Sequence, residues 1–243
     1  MLNPNLDTQA LHESFKAKPL MRIANIFTPE AANRIHQCLA KDMAWDVSWY
    51  DHSREGRARS SAMSESSYRS LTPEQRQALH QLVLQSAAHD YQYIYNSFDI
   101  IRAHKENLLP GHFIHEVMGY LADDEFFQFI QAVTGDGEIN RIDGHATRFV
   151  RGHFLKKHVD SSPFETRRYA YVLGFSPDWQ ADWGGLTVFM DDNLQPTDTF
   201  VPEYNCLTLF EVPVNHCVTQ VASFCPAQRL SITGWFTIHN AAE

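Results

Sequence analysis

The stretch Arg148-Phe-Val-Arg-Gly-His-Phe-Leu-Lys-Lys-His-Val-Asp160 ends on an imidazole and a carboxylate two positions apart. It reads as one strand running up to Val150, a break at Arg151-Gly152, and a second strand over Phe154–Val159. Residues i and i+2 of a strand share a face, so His158 and Asp160 point the same way. Two such groups cannot close a metal site alone, so a third ligand must come from another part of the chain.

Outward from this stretch, the pattern after Gly137 is a series of short β-type runs. They cover Ile139–Val150, Phe154–Val159, Arg168–Phe175, Leu186–Met190, Cys206–Phe210, Cys217–Val221 and Leu230–Ile238, with turns at Pro163, Pro177, Gly184-Gly185, Pro196, Pro202, Pro213 and Pro226. Strands at such spacing predict a β-sandwich or jelly roll. The first half is different. Thr28-Pro29-Glu30 and Thr72-Pro73-Glu74 each place an N-cap, a first-turn proline and an acid in helix-starting order. A strand is expected near Met21–Phe27, an extended segment over Met43–Tyr50, a long polar loop over 51–71, a helix from there to about Asn96, and helix again over 112–134. The fold class expected is α+β: a jelly-roll core over 138–243, with 1–137 as a helical support region carrying one or two core strands and packed on one sheet, all within one structural domain.

The totals bound the function. A chain of 243 residues that is 44% hydrophobic can bury a full core, and its formal charge of −9 disfavours a general nucleic-acid binder. The first ten residues lack a basic segment followed by an apolar run, and no apolar stretch is long enough to cross a membrane, so a cytoplasmic protein is expected. Cys38, Cys206, Cys217 and Cys225 form no C-x-x-C pair, which suits reduced thiols better than a zinc knuckle.

With thirteen histidines in the chain, one His near one Asp is weak evidence. His216 strengthens it, because it opens a strand-like run after Pro213-Val-Asn215, and Arg229-Leu-Ser231 follows on the last strand. Two imidazoles and one carboxylate on one side of a metal leave positions open, the facial triad of non-heme Fe(II) oxygenases. Arg229 and Ser231 share a strand face. An arginine in this apolar strand is costly to bury unpaired, and its guanidinium can hold a carboxylate through two hydrogen bonds.

On these motifs the sequence resembles the iron and 2-oxoglutarate dependent dioxygenases of the prolyl hydroxylase type. The likeness covers about residues 140–240, through Gly152–Asp160, Trp183-Gly-Gly-Leu186, His216–Val221 and Arg229–Phe236. Arg167–Leu173 with Trp179 and Arg229–Trp235 are most similar to the ribosomal-protein prolyl hydroxylase branch. The resemblance implies a double-stranded β-helix, His158, Asp160 and His216 as iron ligands, and Arg229 with Ser231 on the distal carboxylate of 2-oxoglutarate. It places Trp235 and Phe149 at the substrate pocket. Many relatives have a tyrosine at Phe149, and another on the following strand where this chain has Gly174 or Val172. Tyr171 and Tyr169 are the phenols nearby, and Tyr171 is the one expected to serve the cosubstrate.

The expected reaction is hydroxylation of an unactivated C–H with Fe(II), 2-oxoglutarate and O2, giving succinate and CO2. The expected substrate is a prolyl residue of a protein or peptide. The alternatives are a free amino acid or small metabolite as substrate, or a non-catalytic metal-binding sensor on the same fold. The loop 51–71 could close over an extended chain, and Arg151, Lys156, Lys157, Arg167 and Arg168 read as a solvated strand face, with contact to an acidic or backbone-rich partner as the alternative.

Overall fold

The computed structural model describes residues 1–162 and 165–238. The chain begins with helix α1 (Thr8–Ala17), strand β1 (Leu20–Ala24) and helix α2 (Pro29–Gln37), which passes into a π-helical turn, Cys38–Asp42. Strands β2 (Asp46–Tyr50) and β3 (Ser60–Ser64) form a hairpin and lead through α3 (Glu65–Ser70) to α4 (Pro73–His89). Strand β4 (Tyr93–Asp99) and helices α5 (Ile100–Lys105), α6 (Phe113–Leu121) and α7 (Asp124–Thr134) complete the first half. The second half runs β5 (Arg141–Ile142), β6 (His145–Phe149), β7 (Phe154–His158), β8 (Thr166–Phe175), β9 (Thr187–Met190), β10 (Pro196–Phe200), β11 (Tyr204–Glu211), β12 (Asn215–Val218) and β13 (Arg229–Ile238).

The helix starts follow the local chemistry read from the sequence. Thr28 Oγ1 accepts from Ala31 N behind Pro29, and Thr72 with Gln75 closes a reciprocal capping box behind Pro73. Helix α7 stops at Gly135, whose φ of 73° is the left-handed conformation that a glycine adopts without a Cβ clash.

Among the described residues, thirteen strands join in one antiparallel curled sheet, along the path β1-β11-β8-β13-β6-β4-β7-β12-β9-β10. Strand β4 is the corner. Its Asn96–Asp99 half pairs with β6, its Tyr93–Ile94 start pairs with β7, and its other edge carries β2. The curl closes where Phe189 of β9 meets Phe210 of β11, with ring centroids 4.9 Å apart.

Strand parity divides the buried surface. On β8, Tyr171, Leu173 and Phe175 are fully buried and face the helices, while Ala170 and Val172 face into the curl. On β13, Leu230, Ile232 and Phe236 join the helix-side core, while Arg229, Ser231, Thr233 and Trp235 line the interior. Most helices pack on the β11-β8-β13 half. Helix α4 instead lays Val83 on Val47, Ile94 and Phe154 at the corner.

Several expectations change. The segment 51–71 is not one loop, because Ser60–Ser64 pairs with β2 and Glu65–Ser70 is helical. The helix from Pro73 ends at His89, and Tyr93–Asp99 is a strand. Its alternating tyrosines satisfy a strand face once β2, β6 and β7 supply partners, a tertiary effect that overrides local helix pattern. Pro196 begins a strand rather than marking a turn; it sits at the first position of edge strand β10, where a missing N–H costs no ladder bond. The stretch 112–134 is two helices, broken at Ala122-Asp123. Of the expected turn prolines, Pro163 lies outside the described residues.

Candidate metal centre and cosubstrate cavity

His158 is the last residue of β7, and β12 pairs with it so that His216 lies directly opposite. Asp160 follows two residues beyond the strand end. Their ligating atoms all lie within 4.8 Å of one another. His158 Nε2 is 3.5 Å from Asp160 Oδ1, and His216 Nε2 is 3.4 Å from Asp160 Oδ2. These are poor hydrogen-bond lengths, yet the three groups converge on one point.

Each ring is oriented by its own strand. His158 Nδ1 lies 3.0 Å from Lys156 O, and His216 Nδ1 lies 3.0 Å from Val214 O. A carbonyl can only accept, so each Nδ1 carries the proton and each Nε2 lone pair faces Asp160. Burial first, and then the neighbouring His216, push the His158 pKa down to about 4. The imidazole is therefore neutral at pH 7, the form that binds a metal. Asp160 and His216 are buried and His158 nearly so. This donor set fits a divalent first-row ion with open positions.

The triad lies in a cavity of about 590 Å³ that also contains Arg229, Ser231, Trp235 and Phe149. Arg229 is only 5% exposed. Its Nη1 donates to Gly185 O at 2.8 Å and its Nη2 to Thr187 Oγ1 at 3.0 Å. Its charge also lies 5.2 Å from the centre of the Phe149 ring. Burial lowers its pKa to about 10, so it stays a cation at neutral pH. Among the described residues no carboxylate lies within ion-pair distance of it. A buried cation facing a cavity without a counter-ion fits an anionic ligand.

Two glycines make this anchor possible. A Cβ on Gly184 would sit 2.1 Å from Gln220 O, and Gly184 and Gly185 have φ of 68° and 64°. Only glycine lets the backbone turn there and bring the Gly185 carbonyl to Arg229. Ser231 Oγ lies 2.7 Å from Thr147 Oγ1 on the cavity wall.

Tyr171 is not at this site. Its ring faces the helices and its hydroxyl donates to Asp143 O at 2.8 Å. Strand parity is the reason, since it sends the flanking Ala170 and Val172 into the cavity instead. At Gly174 a Cβ would lie 2.4 Å from Glu203 O, so that strand position has no room for a tyrosine. The phenol in the cavity comes from another strand. Tyr95 of β4 stacks on Phe149 at 5.0 Å with planes 20° apart, and Tyr91 lies 6.1 Å from the His158 ring. The alternation Tyr91-x-Tyr93-x-Tyr95 was the available signal, but it lies in the stretch read as helix.

Trp235 stands at the metal end. The Arg167 guanidinium lies 3.5 Å over its ring, and Arg167 also donates to Asp160 O at 3.4 Å. Among the described residues, Trp235 Nε1–H is buried without a partner. The five basic residues do not form one face. Arg151 donates to Cys225 O, Lys156 to Ala87 O, Arg168 pairs with Asp136, and Lys157 and Arg167 line the cavity. Cys217 and Cys225 are free thiols outside the metal-ligand cluster. No helix among the described residues is long and apolar enough to cross a membrane.

Comparison with known proteins agrees with this geometry. The prolyl 3-hydroxylase OGFOD1 of Xenopus laevis is 35% identical over 120 residues, covering 46% of this chain and 23% of that protein. The Mus musculus protein of the same name is also 35% identical over 120 residues, covering 46% and 22%. The matched stretch thus spans less than a quarter of those relatives. A Pseudomonas putida prolyl-4-hydroxylase superposes with a TM-score of 0.59 at 17% identity, over 96% of this chain and 100% of that one. A Trichoplax adhaerens prolyl hydroxylase, solved with a hypoxia inducible factor oxygen degradation domain peptide fragment, gives 0.60 at 12% identity, over 95% and 89%. These two share the fold. The family model of the 2OG-Fe(II) oxygenase superfamily matches residues 144–237. That match runs from the start of β6 almost to the end of β13, and over this stretch the chain is similar to the 2OG-Fe(II) oxygenase superfamily.

Proposed function

We propose that this chain is an Fe(II)- and 2-oxoglutarate-dependent dioxygenase that hydroxylates an unactivated C–H, most suitably in a prolyl residue of a protein or peptide. The observation that carries the reading is one cavity with a His-Asp-His cluster at one end and the buried, carboxylate-free Arg229 at the other.

In this reading His158, Asp160 and His216 hold the iron, and their Nδ1–carbonyl bonds keep both rings aimed at it. Arg229 binds the distal carboxylate of 2-oxoglutarate, helped by Thr187 and Ser231. Phe149 and Tyr95 form the aromatic wall that keeps water from the cosubstrate. When bound, iron with 2-oxoglutarate and O2 supplies the oxidation, with succinate and CO2 as coproducts. No protein nucleophile is needed, and the protein contributes orientation and a dry pocket.

The peptide reading rests on Arg167 and Trp235. They sit at the metal end of the cavity, and the buried Trp235 Nε1–H has no acceptor among the described residues. The Arg167 guanidinium beside it lines the cavity and can donate to a substrate main-chain carbonyl. The four thiols are unpaired, which supports a cytoplasmic setting. Incubation with Fe(II), 2-oxoglutarate, O2 and proline-containing peptides tests the reading. Succinate with a gain of about 16 Da on the peptide, the mass of one oxygen atom, is expected. No succinate with or without peptide would leave a metal-binding sensor, and succinate with only small molecules oxidised would point to a metabolite hydroxylase.

A further inference from the structure

A second, polar groove of about 600 Å³ runs beside the metal cavity. Its walls come from β2, the end of β4 and helix α5 on one side, and from Arg141–His145 and Glu165 on the other. Tyr95 and His145 line both spaces, so the two meet at these residues. The junction lies next to Trp235, whose ring centroid is 6.0 Å from that of His145.

The junction is rich in groups without partners. Among the described residues, neither the Tyr95 hydroxyl nor the His145 ring makes a hydrogen bond, and Trp235 Nε1–H is buried and unpaired. Asp143 is held rigidly there: one carboxylate oxygen accepts Trp235 N at 2.8 Å, and its carbonyl accepts the Tyr171 hydroxyl. Gly234 lies against it so closely that a Cβ would come within 2.2 Å of Asp143 O. The groove therefore offers fixed donors and acceptors together. An extended polypeptide presents alternating N–H and C=O groups and needs both kinds, whereas an apolar metabolite needs neither. Charges of both signs along the groove, including Asp99, Lys105 and Arg141, also suit a polar chain.

We propose that this groove carries the substrate polypeptide on one side of the target residue, with Tyr95 and His145 hydrogen-bonding its main chain where it leaves the metal cavity. The proposal rests on the peptide-hydroxylase reading above. It adds that recognition is one-sided, with one wall of the groove built by β2, β4 and α5, outside the stretch matched to the superfamily model, and the other including His145 and Glu165 within it.

The test uses fluorescein-labelled, end-capped peptides with a central proline, lengthened one residue at a time in either direction. Binding to the full chain is read by anisotropy under argon with Fe(II) and 2-oxoglutarate, so that no turnover occurs. Extension on one side should tighten binding by roughly 3- to 10-fold per main-chain hydrogen bond gained, and extension on the other should change it little. Tyr95→Phe keeps the ring on Phe149 and should remove part of that gain; His145→Gln should remove another part. Equal gains on both sides, or a one-sided gain unchanged in both variants, would overturn the proposal. So would a failure of every peptide to bind. If a short proline peptide is hydroxylated but length has no effect on binding, the groove proposal fails and the hydroxylase reading stands. If long peptides bind one-sidedly but no succinate forms, the hydroxylase reading fails and the groove stands.

Discussion

Arg229 and Thr187 meet across the cavity, with Nη2 donating to Oγ1 at 3.0 Å, and this contact ties β13 to β9. The guanidinium is thus fixed by two neutral acceptors, Gly185 O and Thr187 Oγ1. Neutral partners orient the charge without cancelling it, which leaves it for an incoming anion.

Arg229→Ala should weaken 2-oxoglutarate binding by about 2–4 kcal/mol, or roughly 30- to 1,000-fold, since a buried charge pair loses one partner. Arg229→Lys should recover only part of this, because an ammonium cannot reproduce the two-pronged contact. Titration calorimetry with 2-oxoglutarate, alongside an unchanged metal affinity, checks both.

Removing any one of His158, Asp160 or His216 by alanine substitution should reduce divalent-metal affinity by more than about 100-fold, beyond the 10- to 100-fold typical of losing an outer-shell partner. Anaerobic Fe(II) or Mn(II) titration reads it directly. Near-normal affinity in all three variants would sink the metal assignment.

Tyr171→Phe should leave the 2-oxoglutarate KM unchanged and lower stability by about 1–3 kcal/mol, because the Asp143 carbonyl loses a buried donor. Urea denaturation and a KM measurement together separate this from a cosubstrate role, in which KM would rise.

Gly174→Ala should destabilise the fold by about 1–3 kcal/mol, an overpacking cost, since its Cβ would press on Glu203 O at 2.4 Å and backbone cannot move aside cheaply. A lowered thermal midpoint is the expected reading.

His153 gives a pH dependence remote from the cavity. Burial holds its pKa at about 4, down from 6.5, and its Nδ1 has no partner among the described residues. Below pH 6.5 the unfolded chain takes up a proton that the folded chain refuses until about pH 4. Stability should therefore fall as pH drops through that window, by on the order of 3 kcal/mol at most, and level off below it. His153→Gln should flatten this part of the stability profile, measured by denaturant titration at pH 7 and pH 4.5.

The triad was legible in the chain because strand geometry is local. His158 and Asp160 are two residues apart, and His216 opens a short strand after a proline turn. The same period of two put Arg229 and Ser231 on one face. The reading of Tyr171 fails on the same arithmetic. A shift of one position moves a side chain from the cavity to the core, and no local signal sets that parity for β8.

The sequence by itself determined the jelly-roll class of the second half, the capped helix starts, and which side chains could gather around a metal. All of these follow from periodicity, turn residues and donor chemistry within a few positions. Only the tertiary structure decided that Tyr93–Asp99 is the strand at the corner of the sheet, that Tyr95 takes its place beside Phe149, and that Arg229 meets no acid among the described residues. Those outcomes depend on pairings between residues 45 to 88 positions apart, such as β4 with β2 and β6 and β7, and β13 with β6 and β8. Such partners override local preference because a strand's hydrogen bonds and buried faces are completed only by its neighbours.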